Sequence, residues 1–180
     1  MEIAPPEVME TERLRLRRPT PADAGPIFER WAQDPDVTRY LMWRPHRAVT
    51  ESEEHIARCI ADWEKGTAYV WLIEERGSGA LVGSLACTLS RRGASLGYLL
   101  AKDSWGRGYM VEALAPVVEH WLDRPDVFRV WATCDVDNRA SARVLEKAGF
   151  EREGTLRRWD RHPNVGDEPR DAHVYSRVRA

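Results

Sequence analysis

Leu96-Gly97-Tyr98-Leu99-Leu100 leads through Trp105-Gly106-Arg107-Gly108-Tyr109-Met110 into a stretch whose apolar residues recur at Met110, Leu114, Val117, Val118 and Trp121. An apolar run, a glycine pair and then a 3.6-residue period read as strand, tight turn and helix. Pro116 falls inside that helix, removes the bond to the carbonyl of Glu112, and predicts a bend there. Two glycines separated by one residue at a helix start leave backbone N–H groups uncovered, and the positive end of the helix dipole favours an anion such as a pyrophosphate at that point. The same glycines also suit a plain tight connection in which they serve only turn geometry. The turn has neither the G-x-x-x-x-G-K-[ST] spacing of a Walker loop nor the third glycine of the dinucleotide fingerprint.

Working outward, Ser95 to Ala101 is the third of three β-rich segments, after Tyr69 to Glu74 and Leu81 to Leu89. Gly77-Ser78-Gly79 and Ser90-Arg91-Arg92-Gly93 between them have the length and composition of hairpin turns, so the middle of the chain reads as an antiparallel meander. Before it, Arg13 to Arg17 alternates charged and apolar as a half-buried strand does. Thr20-Pro21-Ala22-Asp23 starts a helix toward Gln33, and Asp34-Pro35-Asp36 breaks it. Thr50-Glu51-Ser52-Glu53 opens a second helix whose buried face is Ile56, Cys59, Ile60 and Trp63. After the glycine turn come a strand from Phe128 to Cys134, a helix from Asn138 to Ala148 closed by Gly149, and a strand hairpin from Phe150 to about Tyr175 around a loop at 157–170. The fold class is therefore α/β (α+β): a mixed, mostly antiparallel sheet of six or seven strands with about four helices. Residues 1–10 read as a flexible N-terminal arm and 11–180 as one domain.

Composition narrows the function. The chain has 180 residues, 43% hydrophobic and 31% charged, with 27 basic against 29 acidic groups, enough apolar material for one core and no strongly basic character. That balance argues against nucleic acid as a partner. The longest apolar run, Tyr69 to Ile73, is far short of the ~20 residues a spanning helix needs. The start has no signal-peptide form, so no membrane partner and a cytoplasmic location are expected. The three cysteines are too few and too scattered for a disulfide framework or a C-x-x-C zinc site, and the five histidines show no ligand spacing, so no metal is expected. Cys134, on a strand facing the expected cleft, reads as a small buried hydrophobe rather than a nucleophile.

A second motif, Asn138-Arg139-Ala140-Ser141 with Leu145-Glu146-Lys147-Ala148-Gly149-Phe150, completes a resemblance. Trp105 to Met110 is similar to the Gln/Arg-x-x-Gly-x-Gly/Ala pyrophosphate motif of the GCN5-related N-acetyltransferases. Asn138-x-x-Ser141 and Leu145 to Phe150 look like the second acetyl-CoA motif of that family, and the whole resembles the branch of the ribosomal-protein N-terminal acetyltransferases RimJ and RimL. The likeness extends through Thr11-Glu12-Arg13-Leu14, the Asp23-Ala24 pair, Arg39-Tyr40, Glu153-Gly154, Asp171 and Tyr175.

The resemblance implies acetyl-CoA as co-substrate and direct attack of a primary amine on its thioester in a ternary complex. It implies that Leu99 and Leu100 bond the pantetheine arm in a cleft beside Val130 to Cys134. Trp105, Gly106, Arg107, Gly108, Tyr109 and Met110 would then receive the pyrophosphate, Arg107 by charge, with Asn138 and Ser141 along the arm toward the thiol. By residue chemistry alone Asn138 is equally an N-cap. Met42 and Trp43 stand where the family places acceptor-facing residues. Two family positions are altered: the tyrosine of the second motif is Leu145, and an acidic residue before Gly97-Tyr98 is Ser95. Ser141 and Tyr175 are then the hydroxyls left to protonate a departing thiolate. The acceptor is a protein N-terminal α-amine or a small amine such as an aminoglycoside or polyamine, a homodimer is compatible with this reading, and a non-catalytic acyl-CoA sensor is the rival from another class.

Overall fold

The structure, a computed structural model, describes residues 4–179. Eight strands form one sheet in the order β1-β2-β3-β4-β5-β6-β8-β7. They are β1 (Val8–Glu10), β2 (Leu14–Arg17), β3 (Ala68–Glu75), β4 (Leu81–Ser90), β5 (Gly93–Leu100), β6 (Arg129–Asp135), β7 (Glu151–Asp160) and β8 (Arg170–Val178). Every neighbouring pair is antiparallel except β5 and β6. Helical elements are α1 (Ala24–Ile27), α2 (Pro35–Thr38), α3 (Val49–Lys65), α4 (Tyr109–Leu122) and α5 (Arg139–Lys147). The helix expected from Pro21 toward Gln33 is present as one run of changing pitch, tighter over Pro21–Asp23 and wider over Phe28–Ala32 on either side of α1.

The sheet exceeds the expected strand count because part of the expected flexible arm is ordered. Val8–Glu10 pairs with β2, and Met9 is buried against the core, so only residues 1–3 of that arm lie outside the described residues. Three residues are too few for a period of two to show. The loop expected at 157–170 is likewise shorter, since β7 runs on to Asp160. Among the described residues no helix is long and apolar enough to cross a membrane, and no group of His, Cys, Asp and Glu is arranged to hold a metal ion.

Strand β3 shows how the sheet is covered. Tyr69, Trp71 and Ile73 join one buried cluster with Trp63, Leu114, Val117 and Trp121, while Leu72 joins a second with Ile27, Trp31 and Ile56. Successive strand residues point to opposite faces, so a continuous apolar run is what a strand buried on both faces requires. α4 passes through Pro116 without interruption and lays Met110, Ala113, Leu114, Val117, Val118 and Trp121 on the sheet.

The feature that positions the site is the short contact between β5 and β6. They pair in parallel only at Ala94↔Val130 and Ser95↔Trp131, and beyond Ser95 they diverge. Gly93 sets the vertex: its φ is +101°, and a Cβ there would overlap the carbonyl oxygen of Arg129. From that point Leu96–Leu100 stays bonded to β4 on one side and faces an open wedge on the other.

Candidate active site

The wedge opens into a cavity of ≈ 960 Å³ that runs from the start of α4 to the connection between β7 and β8. At one end, Gly106 (φ +76°) and Gly108 (φ +77°) both take the left-handed conformation and turn the chain into α4. The first-turn N–H groups of α4 have no acceptor within the helix and form, with those glycines, a concave set of donors suited to an anion. Leu99, Leu100, Trp105, Gly106 and Met110 line this part, and the Trp105 indole donates to the Leu100 carbonyl at 2.9 Å.

A clamp from the connection between β1 and β2 fixes the turn. Arg13 donates to the carbonyl of Arg107 (3.0 Å), lies 4.8 Å from the Tyr109 ring centroid, and grips Glu112 with its backbone N–H (2.9 Å) and guanidinium (2.6 Å). Thr11 adds a hydroxyl to the same carboxylate at 2.6 Å. Burial opposes ionisation of Glu112, but the donors from Thr11 and Arg13 outweigh it and hold the carboxyl below the usual range.

Midway along the cleft, the Asn138 side chain caps α5 by accepting from the Ser141 N–H (3.2 Å), and Asn138 also lines the cavity. Ser141 Oγ lies 2.8 Å from the Tyr98 hydroxyl. Burial pushes the Tyr98 phenol up, so it stays protonated. Cys134 lines the cavity close by, with its thiol pushed by burial up to about 11, which keeps it protonated and weakly nucleophilic.

At the other end stand Asp36, Arg39, Tyr40, Met42, Thr133, Asp135, Asp160 and His162. Asp135 is fully buried. Burial opposes its charge, but Arg170 donates to both oxygens (2.5 and 3.0 Å) and the Asp137 N–H adds a third bond, so its carboxyl lies below the usual range. Asp36 pairs with Lys102 outside the cavity, and Asp160 accepts from the Thr133 hydroxyl at 3.1 Å.

The structure thus brings Leu99, Leu100, Trp105, Gly106, Met110, Asn138, Ser141 and Met42 around one cavity. Several expected residues stand elsewhere. Arg107 is exposed, its guanidinium near Glu75 (4.0 Å) and the Tyr109 ring; Gly108 and Tyr109 contribute the turn and its anchoring to Glu75. Trp43 is half-buried behind the cavity, 4.9 Å from the His46 ring. Tyr175 is buried in the core, outside the cavity lining, and donates to Glu146 at 3.1 Å. Leu145, in the place of the family's tyrosine, is also core. Tyr98, Asp160 and His162 were not picked out by sequence. Tyr98 sits in the Gly-Tyr pair already quoted, and its alternation with Leu99 was the available signal.

Residues 13–151 match the model of the Acetyltransferase (GNAT) domain. The chain is 31% identical over 175 residues to an uncharacterised N-acetyltransferase of Bacillus subtilis (strain 168), YoaA, covering 96% of this chain and 97% of that one. The fold superposes on the microcin C7 self-immunity acetyltransferase MccE in complex with acetyl-CoA and AMP (TM-score 0.87, 19% identity, 97% and 98% of the two chains). It also superposes on RimL, the ribosomal L7/L12 alpha-N-protein acetyltransferase, in complex with coenzyme A (TM-score 0.85, 23% identity, 96% and 98%). The chain belongs to the GNAT family of acetyltransferases. That family makes the chain an acetyltransferase, and its structural neighbours include a putative ribosomal-protein-serine acetyltransferase from Vibrio cholerae (TM-score 0.84, 26% identity, 98% and 99% of the two chains), a member of the RimJ/RimL-like branch.

Proposed function

We propose that the chain acetylates the α-amine at the N-terminus of a protein or peptide in the cytoplasm, with acetyl-CoA and acceptor bound together. The observation that carries the acceptor reading is the charge at the far end of the cavity. Of three aspartates there, Asp36 is paired with Lys102 and Asp135 with Arg170, which leaves Asp160, whose partner is a hydroxyl rather than a cation. One carboxylate suits a single ammonium group, whereas a polyamine or aminoglycoside calls for several. RimL, an α-N-protein acetyltransferase by name, has the same fold and supports this choice.

The open edge of β5, the two left-handed glycines and the cavity fit acetyl-CoA, which supplies the activated acetyl thioester. The glycine turn and α4 hold its pyrophosphate, and the N–H groups of the free edge of β5 bond its arm and receive the developing oxyanion. Ser141, backed by the protonated Tyr98, gives a proton to the departing thiolate. Leu145 and Tyr175 have no part in this step.

The test is incubation with acetyl-CoA and Ser-, Ala- and Met-starting peptides, spermidine and aminoglycosides, reading product by mass spectrometry. Acetylated peptide with unmodified polyamine is expected. Polyamine turnover alone would overturn the acceptor reading, and acetyl-CoA binding without any product would favour the sensor. Ser141→Ala is expected to lower kcat by about 10²-fold while leaving acetyl-CoA affinity unchanged by calorimetry.

A further inference from the structure

His162 is buried, 5% exposed, and lines the acceptor end of the cavity, yet neither of its ring nitrogens makes a hydrogen bond within the described residues. A buried imidazole without partners forgoes the hydrogen bonds it had in water, and such a group persists where a ligand completes it. The surrounding backbone is firmly held. The His162 carbonyl accepts from the N–H groups of Val165 (2.9 Å) and Gly166 (3.2 Å), and the Asn164 side chain donates to the carbonyls of Thr38 (2.7 Å) and Trp43 (2.8 Å). The ring is therefore presented by a fixed turn, with its polar atoms unused.

Its neighbours define what it can do. From β6, Asp135 Oδ2 approaches Nε2 to 3.7 Å, too long for a hydrogen bond. From β8, Arg170 already neutralises much of that carboxylate. Tyr40 packs edge-on with centroids 6.1 Å apart, and Arg39 lies 5.5 Å over the Tyr40 ring. Asp160 and Arg161 flank it on its own segment. Neither ring nitrogen is committed to a hydrogen-bond partner among the described residues, so a lone pair is left for a donor.

We propose that His162 takes the proton of the acceptor ammonium, an inference that rests on the acyl-transfer reading above. The chemistry balances. The ammonium gives one proton to a His162 ring nitrogen, and the freed amine lone pair forms the C–N bond. The C–S bond breaks with its electron pair on sulfur. The second amine proton replaces the one Ser141 gives to that sulfur, and His162 releases its proton to solvent, so an ammonium and a thioester become an amide, a thiol and one proton. A neutral imidazole nitrogen carries a lone pair that accepts a proton, and at His162 that capacity is not taken up by any group among the described residues, whereas Asp160 already accepts from the Thr133 hydroxyl.

The deciding experiment measures kcat/KM against pH for the wild type, His162→Gln and Asp160→Asn, with acetyl-CoA and a Ser-starting peptide or whichever panel amine is turned over. His162→Gln is expected to lose about 10²-fold or more at neutral pH together with the acidic limb of the profile, with acetyl-CoA affinity by calorimetry within twofold of wild type. Asp160→Asn is expected to keep the acidic limb. A limb retained in His162→Gln, or lost in Asp160→Asn, overturns the proposal, and the second arm decides should His162→Gln fail to fold. A wild-type protein that turns over no amine in the panel removes the acyl-transfer reading and the proposal with it, whereas failure of the proposal alone leaves turnover intact.

Discussion

The two ends of the cavity are built in different ways. At the α4 end, chemistry comes from backbone: two left-handed glycines, a helix start and the unpaired edge of β5, with the nearby side chains of Arg13, Thr11 and Glu112 bonded to one another. At the acceptor end, chemistry comes from side chains delivered by separate segments, Arg39 to Met42 before α3 and Asp160 and His162 after β7, and one of them is left without a partner. A cofactor common to a whole family can be held by a fixed backbone frame. In the proposed reading the acceptor is met instead by side chains carried on connections.

The contrast breaks most severely at the vertex of the wedge. Gly93→Val would force a β-branched residue into φ +101° and drive its Cβ into the Arg129 carbonyl. A cost of about 3 kcal/mol or more is expected, read as a lower urea midpoint, with loss of acetyl-CoA binding because both ends of the cavity depend on where β5 leaves β6. Gly97→Ala, where a Cβ meets nothing within 4 Å, is the control and should cost under about 1 kcal/mol.

Acid should separate the two ends next. His55, on α3 beneath Trp43, is held by burial, with Arg58 and His46 adding to the effect, at about 4 against an ordinary 6.5. Its folded value is depressed, so the unfolded chain binds the extra proton, and stability present above pH 6.5 is lost as pH falls toward 4. The loss is on the order of 3 kcal/mol. Glu112 in the clamp is ordinarily charged throughout that window and lets go only below the usual carboxylate range. Fluorescence of Trp43 and its neighbours should therefore change before acetyl-CoA affinity does, and His55→Gln should flatten the stability profile between about pH 6 and 4.

The same division explains what was legible in the sequence. The meander, α3, α4 and α5 and the glycine turn were readable because each is a local pattern of period, cap or glycine within some fifteen residues. Ser141 and Asn138 came with their helix start. Asp160 and His162 were not readable, because a histidine in a polar, proline-bearing loop looks like any solvated residue until Asn164 ties that loop to Thr38 and Trp43, more than a hundred positions earlier. Tyr175 was misplaced for the converse reason: β8 alternation left its facing open, and register with β6 turned it toward Glu146.

Arg13→Ala tests whether the backbone end depends on its clamp. The substitution removes the donor to the Arg107 carbonyl and leaves Glu112 with fewer partners. A loss of about 1–2 kcal/mol in stability and roughly tenfold weaker acetyl-CoA binding are expected, with kcat at saturating acetyl-CoA little changed. Calorimetry checks the first quantity and steady-state kinetics the second. An unchanged dissociation constant would mean that the glycines hold the turn unaided.

Asn164→Ala is the smallest and most specific perturbation, because Asn164 is itself outside the cavity lining and the α4 turn. Its two hydrogen bonds are made to carbonyls whose segments gain other support, from the Asp34-capped α2 and from the packing of Trp43 on its histidines. About 1 kcal/mol of local stability is therefore at stake. Released from Thr38 and Trp43, the β7–β8 connection would hold His162 over a wider range of positions. The acceptor KM should rise and kcat fall by a few-fold each, while the acetyl-CoA dissociation constant stays where it was. If that constant moved as well, the two ends would be one cooperative unit, and the division drawn between backbone frame and side-chain pocket would fail at the residue chosen to isolate it.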